Sequence, residues 1–181
     1  MVQPFDQKEI MEGAATCAVE FVEDVPQLDM IMAPVSGGGL ISGIALGAKH
    51  LKPSIKIFAV GPTAKKMKEA MATGKYLDHW TPGKFIDSKC EALVAHPGKI
   101  TFPIMVELLE KEAFDVTDEE SAKALKLAWQ QLKLTIELST ATVVAALLSD
   151  DFIEMLKRNE NLTNIGLILC GGNFDASTTL A

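Results

Sequence analysis

Pro34-Val35-Ser36-Gly37-Gly38-Gly39-Leu40-Ile41-Ser42-Gly43 is the stretch that decides how this chain folds. An apolar run at residues 28–34 feeds into it, and a helical pattern at residues 40–51 leaves it. The first-turn N–H groups of a helix have no intrahelical acceptor, and the helix dipole favours negative charge beside them. Three successive glycines leave no Cβ between the main chain and an approaching oxyanion. The stretch holds no basic residue, so it reads as an anion cradle built from backbone amides. The alternative is a tight strand-to-helix turn whose glycines serve only close packing. It is not a Walker A loop, because no Gly-Lys-Ser/Thr follows. It is not a dinucleotide fingerprint, because the spacing is not G-x-G-x-x-G and the next strand ends in Val60-Gly61 rather than an acidic residue.

Outward from that turn, hydrophobic spacing predicts a helix over residues 7–23 with Asp6 at its start. In the helix over 40–51, Leu40, Ile44, Gly47, Ala48 and Leu51 share a face whose small residues would lie close on a sheet. A buried strand follows at 55–60, broken by Gly61-Pro62-Thr63, with Thr63 as the expected cap of a helix over 64–72. Residues 73–99 read as a long loop with at most a short strand near 92–95, a length often tied to function. Thr101 is the expected cap of a helix over 102–112, ahead of a short strand at 113–116. Thr117 with Glu120 three residues on has capping-box spacing and opens a helix to about residue 132. Helical pieces at 142–148 and 152–157 precede an apolar strand at 165–170, which ends in Gly171-Gly172-Asn173. Strands alternating with helices predict a three-layer α/β fold with a mainly parallel sheet. Ligands of such sheets bind beyond the carboxyl ends of the strands, where both Gly-rich turns fall.

The chain has 181 residues, enough for one domain, and 48% of them are hydrophobic. A formal net charge of −7 argues against a nucleic-acid or anionic-membrane surface, though not against a local phosphate site. The three cysteines, Cys17, Cys90 and Cys170, have no metal-like spacing and suit a reducing, cytoplasmic setting. The polar N-terminus does not read as a signal peptide, and the longest apolar runs are too short to span a membrane.

The run from Pro34 to Ala45 resembles the phosphate loop of the serine racemase and serine/threonine dehydratase family, which are pyridoxal-phosphate enzymes of the tryptophan-synthase-β type (fold type II). The resemblance continues in register through Leu51-Lys52-Pro53-Ser54-Ile55-Lys56-Ile57 and Phe114-Asp115-Val116-Thr117-Asp118-Glu119-Glu120. It runs on through Lys133-Leu134-Thr135-Ile136-Glu137 with residues 141–146, and through Ile168-Leu169-Cys170-Gly171-Gly172-Asn173. The resemblance implies that Ser36, Gly37, Gly38, Gly39 and Leu40 hold the cofactor phosphate. It places Cys170 at the pyridine nitrogen, where a neutral thiol or hydroxyl can donate. It places Glu137 near the cofactor ring. Read from the residues alone, a buried core cysteine is the commoner fate of Cys at a strand end such as Cys170, and Glu137 is equally a solvated helix-end carboxylate.

The departures from the family pattern carry as much information. The Ser-x-Lys-x-Arg-Gly segment with the family's covalent-attachment lysine is absent, as is the Asn loop that contacts the substrate carboxylate. The resemblance therefore covers the C-terminal part of the large domain as one domain over 1–181, without the N-terminal part or the small domain. The family's metal-ligand positions fall on Gly61 and about Met67, so no metal is expected there. Glu91-Ala92 stands where the family has Asp-Gly, and Leu138 replaces the Pro after the glutamate. Lys49, Lys52, Lys56, Lys65 and Lys66 read as surface charges, and none is expected to attach the cofactor, which needs a depressed pKa and fixed geometry. His50, His79 and His96 read as surface or loop residues. No catalytic residue is therefore assigned within the chain.

The resemblance implies a pyridoxal-phosphate-dependent dehydratase or racemase acting on serine or threonine, present as a truncated or split chain. The alternative is a non-catalytic phosphate-ligand-binding or partner-subunit protein derived from that family. Uncovered sheet edges and helix faces predict a homo-oligomer, as in a family often dimeric, or a complementing N-terminal half.

Overall fold

Residues 5–81 and 83–173 are described by the computed structural model. Four parallel strands form the sheet in the order β3-β2-β1-β4: β1 is Met30–Pro34, β2 Lys56–Pro62, β3 Phe114–Val116 and β4 Ile165–Leu167. The alternation of side chains along each strand fills two cores. Ile31, Ala33, Ile57 and Ala59 face one side, packed under α1 (Lys8–Asp24), α2 (Gly39–Leu51), α3 (Met67–Thr73) and α4 (Thr101–Leu108). Met30, Met32, Phe58 and Val60 face the other, under α5 (Asp118–Leu127), α6 (Leu138–Leu147) and α7 (Asp150–Arg158). The fold is thus the expected three-layer α/β arrangement. Burial on both faces explains why the strands read as continuous apolar runs.

Several elements start or end where distant groups dictate. Asp6 does not cap α1, whose N-cap is Gln7 with no side-chain cap bond. Its carboxylate instead accepts the N–H groups of Lys99, Ile100 and Thr101 at 2.9–3.1 Å, closing the N-terminus of α4. The Thr101 hydroxyl, expected as that cap, donates to the Gly37 carbonyl at 2.7 Å and accepts from the Gly98 amide. Thr63 caps no helix: a single 3-10 turn, Thr63–Lys65, comes first. The N–H groups of Met67 and Lys68, at the start of α3, go to the Asp115 carboxylate of β3. β2 runs through Gly61 to Pro62 because β3 pairs there. α4 stops at Leu108, four residues early, as the Glu110 amide is drawn to the Ile57 carbonyl at 2.9 Å.

The Thr117–Glu120 capping box forms as the spacing predicts. The helix it opens passes into a π-type turn, Ala128–Leu132. Among its described residues, the loop over 73–99 contains one 3-10 turn, Glu91–Leu93, and a single antiparallel bridge between Phe85 and Ala95 in place of a strand. The small residues of α2 serve a different neighbour from the one expected. A Cβ on Gly43 would stand 2.4 Å from the Met11 carbonyl oxygen, and one on Gly47 2.6 Å from that of Ala15. They let α2 touch α1, while Leu51 is exposed rather than on the sheet face.

Candidate functional site

The turn after β1 combines a left-handed residue with a helix start. Gly38 is the N-cap of α2 at φ +89°, a conformation that costs a side-chain-bearing residue roughly 1–2 kcal/mol. The Cα faces of the turn are packed by protein. A Cβ on Gly37 would fall on the Phe5 ring, one on Gly38 within 2.7 Å of Thr101 Oγ1, and one on Gly39 within 2.5 Å of the Phe5 carbonyl oxygen. The N–H groups differ: those of Gly37, Gly38, Gly39, Leu40 and Ile41 meet no acceptor among the described residues. The first bond of α2 is Ser42 N–H to the Gly38 carbonyl at 3.0 Å. Close packing and an open donor set therefore coexist, each on its own side of the backbone. Ser36 and Leu40 are half-buried at the ends of the turn.

β4 lies beside β1 in parallel register, Met32 against Leu167, and the Ile168 amide reaches the Met32 carbonyl at 3.0 Å. The turn carrying Cys170 therefore leaves the sheet at the same edge as the glycine turn. Glu137, the N-cap residue of α6, donates its amide to the Gly171 carbonyl at 3.0 Å. Its carboxyl lies over Gly171, 2.6 Å from where a Cβ would stand. The structure thus brings Glu137 and Cys170 together. Cys170 is exposed as a residue rather than sealed in the core. Desolvation by the packing around it still pushes the thiol above its usual range. The Glu137 charge adds to the rise, and Thr140 Oγ1 stands 3.6 Å from the sulfur, a contact in which either atom can donate. Thr140, which sequence reasoning passed over, is fully buried beneath this turn. Its only sequence signal is a place in the run Leu138-Ser139-Thr140-Ala141-Thr142, where three hydroxyl residues open an otherwise apolar helix. α6 begins at Leu138, four residues earlier than the apolar spacing suggested.

Two further residues correct the sequence reading. Lys65 is not on the surface: it is 0% exposed, and its Nζ donates to the Ala95 carbonyl. Burial lowers its pKa to about 7. It fills the Gly61–Met67 turn, where a Cβ on Gly61 would come within 3.4 Å of Lys65 Cδ and 2.8 Å of Met67 Cγ. His96 is likewise buried, and its Nδ1 has no hydrogen-bond partner among the described residues. Its ring stacks on Trp80 at 6.2 Å, and Trp80 Nε1 donates to the Lys65 carbonyl at 3.0 Å. Burial, then the charge of Lys65, then that of His79, lower the His96 pKa. Among the described residues, no group of three or more His, Cys, Asp or Glu is placed to hold a metal, and no helix is long and apolar enough to cross a membrane.

A scan against protein families matches residues 1–171 to the family described as "Pyridoxal-phosphate dependent enzyme". The serine racemase of Dictyostelium discoideum is 37% identical over 179 residues, covering 98% of this chain and 53% of the relative. That of Homo sapiens is 33% identical over 181 residues, covering 99% and 51%. The chain spans about half the length of the curated relatives it matches. Among solved structures, maize serine racemase superposes with a TM-score of 0.87 at 35% identity, over 98% of this chain and 53% of the other. The processed form of threonine deaminase isoform 2 from Solanum lycopersicum does so with 0.81 at 27%, over 97% and 47%.

Proposed function

This chain belongs to the family of pyridoxal-phosphate dependent enzymes, and from that premise we propose that it forms the phosphate- and ring-nitrogen-binding half of a serine/threonine ammonia-lyase or serine racemase. In this reading residues 1–181 are the C-terminal part of the cofactor-binding large domain, and the attachment lysine comes from polypeptide outside them. One observation carries the proposal: five consecutive amides, Gly37 to Ile41, that meet no acceptor among the described residues at a helix N-terminus on the carboxyl edge of a parallel sheet. A dianionic ester suits that donor set, since backbone N–H groups bind it without a lysine or arginine. On the adjacent strand end, a thiol held protonated can donate to an unprotonated ring nitrogen. When bound, pyridoxal phosphate supplies the electron sink for a carbanion next to the substrate amine. The chain's own work is to grip the phosphate through Ser36, Gly37, Gly38, Gly39 and Leu40, to present Cys170 to the ring nitrogen, and to set the Glu137 carboxyl beside it. The substrate would be serine or threonine, as the relatives' names indicate for those proteins.

A second reading, a non-catalytic phosphate-ligand or partner subunit, draws on Lys65. It is the only fully buried lysine among the described residues, and it is committed to the Ala95 carbonyl rather than to the glycine turn. The two readings separate by titrating the chain with pyridoxal phosphate, then treating with borohydride and digesting. The half-enzyme reading expects spectral change that dialysis removes, no single trapped lysine, and stable trapping once a segment with the family lysine is added in trans. Trapping at one lysine of this chain alone overturns it; no gain from any such segment favours the second reading.

The edge strand β4, paired only with β1 among the described residues, and exposed Leu127, Leu132 and Leu134 support self-association or pairing with a complementing segment in a dimeric assembly. Light scattering that finds a monodisperse monomer at high concentration contradicts this part.

A further inference from the structure

Beneath the Cys170 turn, one hydroxyl meets three polar atoms. Thr140 Oγ1 accepts the Gly171 N–H at 2.9 Å, lies 3.1 Å from the Gly171 carbonyl oxygen, and stands 3.6 Å from Cys170 Sγ. A hydroxyl has one proton and two acceptor positions. The Gly171 amide takes one acceptor position. Of the two candidates for the proton, the carbonyl oxygen is the stronger acceptor and the nearer atom, and thiol sulfur is weak in that role. With the proton on Gly171, the second acceptor position of Oγ1 is left for the Cys170 S–H.

We propose that Thr140 is the positioning residue of the Cys170 thiol: its buried hydroxyl receives the S–H in the resting site and fixes the sulfur where the same proton can swing to a ring nitrogen. The assignment rests on the cofactor reading above for its purpose, but not for its geometry. Among the described residues, Glu137, ahead of α6, and Cys17, on α1, are the titratable groups that act on the thiol, and both oppose its ionisation. A thiol kept protonated is the form that can donate. The Gly171 amide and carbonyl, both held by the same hydroxyl, pin the backbone of the turn next to the sulfur. No bond is made or broken in this exchange; the S–H only changes acceptor.

The test reads the thiol itself. In a Cys17→Ser background, the pH profile of Cys170 alkylation by iodoacetamide is followed by peptide mass spectrometry, with buried Cys90 resolved as a separate peptide. Thr140→Val should lower the profile midpoint and raise the rate at pH 7.5 about threefold, the equivalent of half a pKa unit. Thr140→Ser should restore the parent profile. A midpoint that stays or rises in Thr140→Val, or a Thr140→Ser variant that behaves like it, overturns the proposal. Simple loosening of the turn would raise the rate at every pH without moving the midpoint, and also counts against it. Inorganic phosphate affinity is measured in the same variants. Its absence in the parent protein would defeat the cradle reading, whereas the role of Thr140 stands or falls on the thiol profile.

Discussion

The turns after β1 and β2 leave neighbouring parallel strands at one edge of the sheet, yet they gather positive potential by opposite means. After β1, Gly37–Ile41 offer main-chain N–H groups with no acceptor among the described residues. After β2, the Thr63–Lys65 turn buries an ammonium stem and closes over it with Ala95, Trp80 and His96. The first arrangement is fixed by backbone geometry and does not titrate. The second depends on one side chain whose charge changes near neutral pH. An open donor set with constant polarity can serve a ligand; a filled pocket with a titrating amine serves the packing of the 73–99 loop.

The largest expected effect contrasts the glycines behind the two turns. Gly43→Ala pushes a Cβ to 2.4 Å from a main-chain oxygen of α1, which no rotamer can relieve. It should cost about 3 kcal/mol of unfolding free energy and disturb the start of α2. Gly61→Ala has the flexible Met67 and Lys65 side chains as its nearest neighbours and should cost about 1 kcal/mol. Equal losses in denaturant melts would erase the contrast. Next, Gly38→Asp places a carboxylate and a strained φ in the first turn. Phosphate affinity measured by calorimetry should fall at least about tenfold, or ~1.4 kcal/mol, with far-UV circular dichroism retained. Unchanged affinity would assign the glycines to packing alone.

Smaller effects belong to the second turn. Lys65 has a folded pKa of about 7 against an ordinary 10.5, so the unfolded chain binds more protons between those values. Stability should therefore rise as pH climbs from 7 to 10.5, by a few kcal/mol at most, and Lys65→Met should flatten that slope. A slope that survives the substitution refutes the buried-amine account. Asp115, raised to about 6 chiefly by burial, has the converse sign. Its folded form prefers the proton, so stability should fall as pH rises from about 4 to 6, by roughly 1 kcal/mol, and Asp115→Asn should remove the change.

The first turn was legible because its signal is local. An apolar strand, three glycines and a helical spacing lie within two dozen residues, and the same holds for the Thr117–Glu120 box. The second turn was not, because nothing near Lys65 in sequence says that Ala95 and Trp80 will cover it. Asp6 teaches the same lesson: it looks like a local cap, but its acceptor oxygens meet amides 93 to 95 residues away. Gly43 and Gly47 were read as small without their neighbour being known, since sheet and helix make the same demand on a close face. Thr140 was invisible for a further reason: the value of one hydroxyl depends on the turn above it, which the chain reaches only thirty residues later.

The central claim is that the amides of Gly37 to Ile41 are an anion site. Amide-resolved NMR of the 15N-labelled chain titrated with inorganic phosphate tests it most directly. Saturable shifts concentrated at those five amides are expected, at constant ionic strength and across pH 6 to 8. Phosphate that leaves those five resonances in place, or moves them no more than amides elsewhere on the chain, would contradict it.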